Sequence, residues 1–502
     1  MNKLFPLNTE TKRILFWTIV SIAVMSTYMI AGMIFGSSMI MLLFALIVVF
    51  LSTVMHPQVG IYTILICTMW FERYFTLAPI TIGSVVYKIY PLDFCILFLA
   101  LSLVARLVEG KIKFKTQALD WFILVFGGVC TLSLLSSYWR GLDMAVAVGT
   151  YKNYFLYAVL YVILTIVMQT KEEWVRLLNW LIAAGFGLFF FLFYGLIAGH
   201  GLWSEYTPLS TSGERLIAGT HIFYLMLFLF WLAAAYLYRE VKEKNKWQSV
   251  AVIVGMSLAG LALVVSLVRH LWLAVPTVLI FWIIFLPTMR RRLKFLILIG
   301  IVGALTAVLT FIFIYSGRVI HGSNAGQTFA NTSEVLSQRT DIENVTSGND
   351  SSFSWRLAVW KVGFSAWLTH PFFGLGLGHR ITGLINNWPF DIALREIHND
   401  YLAMLYQMGV VGLIAVLEFL VFLWYIFFHD RSFLLDNESL DGRLFFSFWS
   451  MAILFMIGFL VSVYWDVNFF VIWWWLAIAG LRFVCMRQPV TTKIFYEDTS
   501  DK

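Results

Sequence analysis

Apolar positions along this chain follow neither the 3.6-residue spacing of an amphipathic helix nor the alternation of a half-buried strand. They run in nearly continuous blocks separated by short clusters of charge. A helix needs roughly 17 to 25 apolar residues to cross about 30 Å of hydrocarbon. Windows of that kind lie near 14–36, 37–55, 60–77, 91–108, 119–138, 145–168, 175–198, 217–238, 250–267, 271–287, 296–315, 401–427, 444–464 and 467–485. Because lipid offers no partner to a free backbone amide, such blocks must be helical. The pattern therefore predicts an all-α polytopic membrane protein of 12–14 spanning helices. Lys12 and Arg13 precede the first block, and a second block follows at once with no small-residue cleavage pattern, so the first block reads as a retained helix.

One interval breaks the pattern. The segment 316–399 is the only long polar stretch, and it divides the chain into spanning helices over 1–315, a large loop over 316–399, further spans over 400–485 and a tail over 486–502. Within the loop, Phe353 to Gly378 carries apolar and aromatic residues around much of a helical circumference, with Arg356 and Lys361 as charges. That composition predicts an interfacial helix ending before His370-Pro371. The GLGLG run at 374–378 follows no strand, so it is no nucleotide fingerprint and reads as a flexible turn. The Ser-, Asn-, Thr- and Gly-rich stretch 323–354 reads as irregular.

Charge orients these elements. With 60% hydrophobic and 13% charged residues, and a mean hydropathy of +0.83, the composition lies outside that of soluble domains. If the N-terminus is cytoplasmic, the inside loops, tails and span ends hold 23 of the 35 lysines and arginines. The positive-inside rule then puts both termini in the cytoplasm and the 316–399 loop outside. The net charge of +7 thus reports topology and gives no reason to expect nucleic acid. Cys67, Cys95, Cys130 and Cys485 lie in or beside apolar runs without C-x-x-C spacing, which supports neither disulfides nor a thiolate metal site.

The same assignment sorts the remaining cations and histidines. Arg215, Arg269, His270 and His398 all fall at the outer boundary. An arginine there can snorkel and merely end a span, or its forked, permanently charged guanidinium can clamp a phosphate. His398 stands where the polar loop enters an apolar helix, as either a helix cap or a base with an unperturbed pKa of about 6.5. Asn399 and Tyr401 flank it as candidate substrate contacts, and Gly409 and Gly412 are small enough for close helix contact deeper in. His221 reads as a packing histidine. The sequence holds no H-E-x-x-H, G-x-S-x-G or Walker loop, and no D-x-D pair suited to a metal and a nucleotide sugar. Neither a metal nor a cofactor is expected.

SLVRH at Ser266–His270, Arg356 and Trp360 followed by H-P-x-x-G-x-G-x-G from His370, and H-N-D-Y-L-x-x-L-x-x-x-G-x-x-G-L from His398 together resemble the O-antigen ligase and polymerase superfamily. The resemblance covers about Arg215 to Ile414. It implies a glycosyltransferase of the bacterial cytoplasmic (inner) membrane that takes a glycan from an undecaprenyl-pyrophosphate-linked oligosaccharide and passes it to an acceptor hydroxyl on the outer face. The implied reaction is metal-independent and inverting. By motif, Arg269 and Arg215 would bind the donor pyrophosphate and His398 would act as base or orient the acceptor. Arg356 would be a further candidate for the same phosphate surface, whereas His270, a candidate substrate contact, stands where a small residue often follows the arginine.

The acceptor stays open: another carrier-linked glycan, a lipid such as lipid A-core, or a protein. A polymerase of surface polysaccharide would work beside a chain-length regulator, and repeat-unit polymerisation is the slightly favoured expectation. The reading from a different class is a lipid-linked oligosaccharide transporter or flippase. Its polar candidates, Lys152 and the Glu72/Arg73 pair, lie toward the outer ends of their spans, whereas transporter sites sit near the midplane.

Overall fold

In the computed structural model the described residues are 9–36, 38–82, 85–87, 89–110, 116–203, 215–239, 246–319, 351–381, 397–429 and 439–486. Most of the irregular stretch expected at 323–354, and the tail from 487, lie outside them. The chain folds as α1 (Thr9–Phe35), α2 (Met39–Met55) and α3 (Pro57–Glu72), the last continuing as a π turn over Arg73–Leu77. A small antiparallel hairpin comes next, β1 (Ile80–Ile82) on β2 (Val85–Tyr87), with Ile80 opposite Tyr87. Then come α4 (Pro91–Val108), α5 (Ala118–Trp139), α6 (Met144–Tyr154), a 3₁₀ turn, α7 (Val159–Val167), α8 (Lys171–Gly187) and α9 (Phe189–Ala198). The remaining helices are α10 (Gly219–Leu237), α11 (Lys246–Ser266), α12 (Arg269–Phe285), α13 (Met289–Val319), α14 (Ser351–Trp367), α15 (Asp400–His429), α16 (Ser439–Val461) and α17 (Asn468–Cys485).

Each of the fourteen apolar windows coincides with helix. Among the described residues eleven helices, counting α6–α7 and α8–α9 as continuous, are long and apolar enough to cross a membrane; α2 and α12 are shorter apolar helices. The protein is an all-α polytopic membrane protein. Burial separates the helices into centre and rim: α10 and α17 are buried over 89% of their apolar windows, α13 over only 17%. The centre is aromatic, with Trp473, Trp474 and Trp475 of α17 all enclosed and Phe223 of α10 in edge contact with Phe455 and Phe470. Ion pairs tie helix ends together, Arg482 to Asp120 at 3.1 Å and Lys152 to Asp93 at 3.0 Å. Lys152 also lies 4.5 Å from the centre of the Tyr90 ring, so it serves as an interhelix contact.

The α14 segment is a helix that ends before His370-Pro371, as expected. Leu357, Phe364 and Leu368 are exposed along one side, continued by Phe372 and Phe373. Ala358 and Val359 turn inward, against a separate cluster with Leu375, Ile381, Ile397, Ala403 and Tyr406. The helix is thus apolar on both its exposed and its buried side.

The loop after α14 departs from the expected flexible turn. The amides of Leu375 and Gly376 donate to the carbonyls of Tyr406 and Gln407 at 2.9 Å each, and those of Val410 and Val411 donate to Pro371 and Phe372. The loop is therefore held to α15 by four backbone hydrogen bonds, and α15 departs from helical geometry at Gly409 (φ 71°, ψ −166°) to receive it. The close approach expected at Gly409 is thus that of a loop, and no second helix is needed to explain it. Arg140 donates to the Gly374 carbonyl at 3.2 Å, and Arg380 pairs with Asp143 at 2.6 Å, fixing the loop to the turn between α5 and α6. Hydrogen bonding from the Val146 amide, with Arg380 beside it, holds the Asp143 carboxyl below its ordinary pKa.

Candidate active site

The turn between α11 and α12 is only two residues long, so the chain must reverse sharply. Leu267 adopts φ 58° to do so, and Ser266 Oγ accepts from the Val268 amide at 3.3 Å. Arg269 and His270 thereby become the first residues of α12, at the positive end of its dipole. Arg215 reaches the same turn from the start of α10, donating through Nη1 to the Ser266 carbonyl at 2.7 Å. Its own carbonyl accepts from the Gly201 amide at 2.8 Å.

Three non-glycine residues have positive φ among the described residues: Trp203, Leu267 and His398. A bulky side chain in the left-handed region costs roughly 1–2 kcal/mol. Trp203 is two residues from Gly201, the partner of Arg215; Leu267 precedes the Arg269–His270 pair; and His398 is itself a candidate. Backbone strain is thus concentrated around one set of side chains, as is typical of functional sites.

His398 is held from both sides. Before it, the Ile397 carbonyl accepts from Trp360 Nε1 at 2.9 Å, and the Trp355 ring meets the imidazole edge-on with centroids 5.2 Å apart. After it, Asn399 Oδ1 caps α15 by accepting from the Leu402 amide at 2.9 Å. Burial, then the nearby Arg356 guanidinium, pushes the His398 imidazole down to about 4. At neutral pH it is uncharged and able to accept a proton or hydrogen bond.

His270 gathers the cluster. Arg356, Arg215 and His398 all lie near enough for their charges to act on its ring. All four, together with Arg269, are partly buried. On its inner side His270 Nε2 lies 2.5 Å from the Tyr464 hydroxyl. Tyr464 belongs to the short turn between α16 and α17, and Asp400 Oδ2 holds that turn by accepting from the amides of Tyr464 (2.8 Å) and Trp465 (3.0 Å).

The structure therefore brings Arg215, Arg269, Arg356, His270 and His398 to one face. Asn399 and Tyr401 have other bonds: Asn399 caps α15, and the Tyr401 hydroxyl donates to the Met456 carbonyl at 3.4 Å. His221 stacks on Phe191 with ring centroids 3.9 Å apart, a packing role. Neither Tyr464 nor the holding role of Asp400 is apparent in the sequence motifs. The available signal was topological, since the short turn 462–467 lies on the same side of the membrane as the arginines.

No protein of curated function matches the chain. Residues 254–417 of this multi-pass membrane protein, running from within α11 to within α15 and including Arg269, His270, Arg356 and His398, match the family model described as O-Antigen ligase, so that about a third of the chain is similar to that family.

Proposed function

We propose that the protein is a glycosyltransferase that moves a glycan from an undecaprenyl-pyrophosphate carrier to an acceptor hydroxyl on the outer face of the bacterial cytoplasmic membrane. The observation that carries this reading is the convergence of Arg215, Arg356 and His398 upon His270, beside Arg269 at the start of α12. A pyrophosphate leaving group needs charge neutralised, and a hydroxyl nucleophile needs a proton removed. The cluster offers both.

In this mechanism Arg269 and Arg215, with the α12 amino terminus, bind the donor pyrophosphate, and Arg356 and His270 complete the anionic surface. The acceptor oxygen attacks the anomeric carbon, the bond from that carbon to the phosphate oxygen breaks, and undecaprenyl pyrophosphate departs with the electron pair. His398 takes the acceptor proton. Asn399 and Tyr401, whose bonds fix the start of α15, serve to hold His398 in place. Positioned donors are each worth about 2.7–4 kcal/mol in a transition state of this kind, and a positioned base contributes roughly 10²- to 10⁴-fold. Arginine supplies the charge neutralisation, so no metal is required. Pyrophosphate also offsets the neighbouring positive charge, making His398 more basic once the donor is bound.

The domains then divide the work: a membrane bundle over 1–315 and 400–485, an external loop over 316–399 that brings Arg356 to the site, and cytoplasmic termini. The polymerase form, acting on repeat units beside a chain-length regulator, is favoured over transfer to a lipid or protein. The deciding experiment is reconstitution of the full chain with an undecaprenyl-pyrophosphate-linked oligosaccharide. A product ladder identifies a polymerase, and a single transfer to an added acceptor identifies a ligase. Carrier translocation without transfer would overturn the enzyme reading.

A further inference from the structure

We infer that the crevice beside α13, at the opposite end of the bundle from the arginine–histidine cluster, binds an anionic phospholipid. The two ends of α12 separate the sites: Arg269 begins the helix at the cluster, and Arg292 of α13 donates to the carbonyls of Leu286 (2.8 Å) and Ile284 (3.0 Å) at its far end. At 1.5 Å per residue they are about 25 Å apart.

A cavity of about 200 Å³ opens there between α10, α11 and α13, lined by Tyr236, Ile253, Arg290, Lys294, Ile297 and Ile301 among others. Four of these lie on α13 with spacings of four, three and four residues, so they share one face of that helix. A ligand entering along this face meets two cations first and then an apolar wall. Ile297 and Ile301 are exposed, on the least buried spanning helix, so the groove opens to the bilayer.

The basic run at the start of α13 is more than a solvated charge cluster. Arg291 lies 4.5 Å from the centre of the Tyr238 ring, Arg292 caps α12, and Lys294 lies 4.5 Å from the Tyr236 ring centre while donating to the Tyr236 carbonyl at 2.9 Å. Arg290 has no protein partner among the described residues and stands exposed at the cavity mouth. The first turn of α13 contains no acidic residue. Cations there oppose the helix dipole, and an anionic headgroup would satisfy both dipole and side chains. The apolar stripe below the charges selects a diacyl lipid over a free phosphate ion.

The test is native mass spectrometry of the full chain in detergent, titrated separately with phosphatidylglycerol, phosphatidylethanolamine, a polyprenyl phosphate and inorganic phosphate. Selective retention of phosphatidylglycerol is expected, weakened about fivefold in R290Q and about 25-fold in R290Q/K294Q. I297W, which narrows the groove while leaving the cations in place, should also weaken it. Because Arg290 bonds to no other residue among those described, R290Q is expected to fold normally and keeps the test decisive if the double variant does not. Equal retention by wild type and R290Q, equal retention of phosphatidylethanolamine, or preference for polyprenyl phosphate or inorganic phosphate would each overturn the assignment.

Discussion

The Tyr464 hydroxyl lies 2.5 Å from His270 Nε2, joining the turn before α17 to the first turn of α12. Asp400 fixes that turn through two backbone amides and stands two residues from His398, so both histidines are supported by one frame. Tyr464→Phe keeps the ring within its aromatic surroundings and removes only the hydroxyl. A lost hydrogen bond of this type is worth roughly 0.5–1.5 kcal/mol, so transfer should fall by up to about tenfold. A reconstituted transfer assay, with a thermal melt beside it, checks this; a wild-type rate would sever Tyr464 from the site. Asp400→Ala leaves two buried amides without their acceptor and should lower the melting temperature as well.

His398 permits a cleaner separation of fold from chemistry. At φ 51° its backbone favours glycine or asparagine. His398→Gly and His398→Asn should therefore insert and melt at or above the wild-type temperature while losing transfer by about 10²-fold or more. Arg269→Ala should likewise abolish transfer in an inserted protein. Retained activity in any of the three would remove that residue from the mechanism.

Fold and site differ in how visible they are in the sequence. Spanning helices are a one-dimensional signal, because lipid demands a length of apolar chain and little else. Arg269 and His398 stand out because each interrupts or borders such a run. Tyr464 does not: it is one of 21 tyrosines, and its partner His270 is 194 residues away, so only folding reveals the pair. Gly409 misleads for a related reason. Two glycines three apart in an apolar run suggest a helix contact, and nothing local indicates that a loop beginning at Pro371 will pair with the backbone there. Asn399 and Tyr401 adjoin His398 in sequence, but the helix that starts at Asp400 turns them toward a cap and toward α16.

The pH dependence should separate the free enzyme from its donor complex. Burial and Arg356 put the free imidazole of His398 at about 4, so the acidic limb of kcat/KM for donor should lie well below pH 6.5. Bound pyrophosphate stabilises the imidazolium, so the acidic limb of kcat should lie higher. Arg356→Gln should raise the free-enzyme limb. Stability follows the same shift. Between about 4 and the ordinary histidine value the unfolded chain binds more protons, so this contribution is complete above about pH 6.5 and lost as pH falls toward 4. His379, also lowered by burial, adds in the same direction. Coincident limbs for kcat and kcat/KM would contradict the coupling between donor and base.

The broken helix gives the sharpest prediction about the scaffold. A Cβ at Gly409 would lie 2.2 Å from the Phe372 carbonyl oxygen, and its φ of 71° with ψ of −166° falls where other residues are strained. At Gly303, in the middle of α13, an added Cβ meets nothing within 4 Å. Backbone strain and overpacking each cost about 1–3 kcal/mol, so Gly409→Ala should destabilise by roughly 2–6 kcal/mol. Gly303→Ala should cost nothing measurable, since alanine is the better helix former. Because the pairing at Gly409 secures the loop that connects α14 to α15, Gly409→Ala should also displace Arg356 and His398 and reduce transfer, whereas Gly303→Ala should leave it largely intact. Thermal melts and transfer rates of the two variants make the comparison. If they melt alike, the backbone hydrogen bonding of residues 371–376 with 406–411 is not what holds the loop.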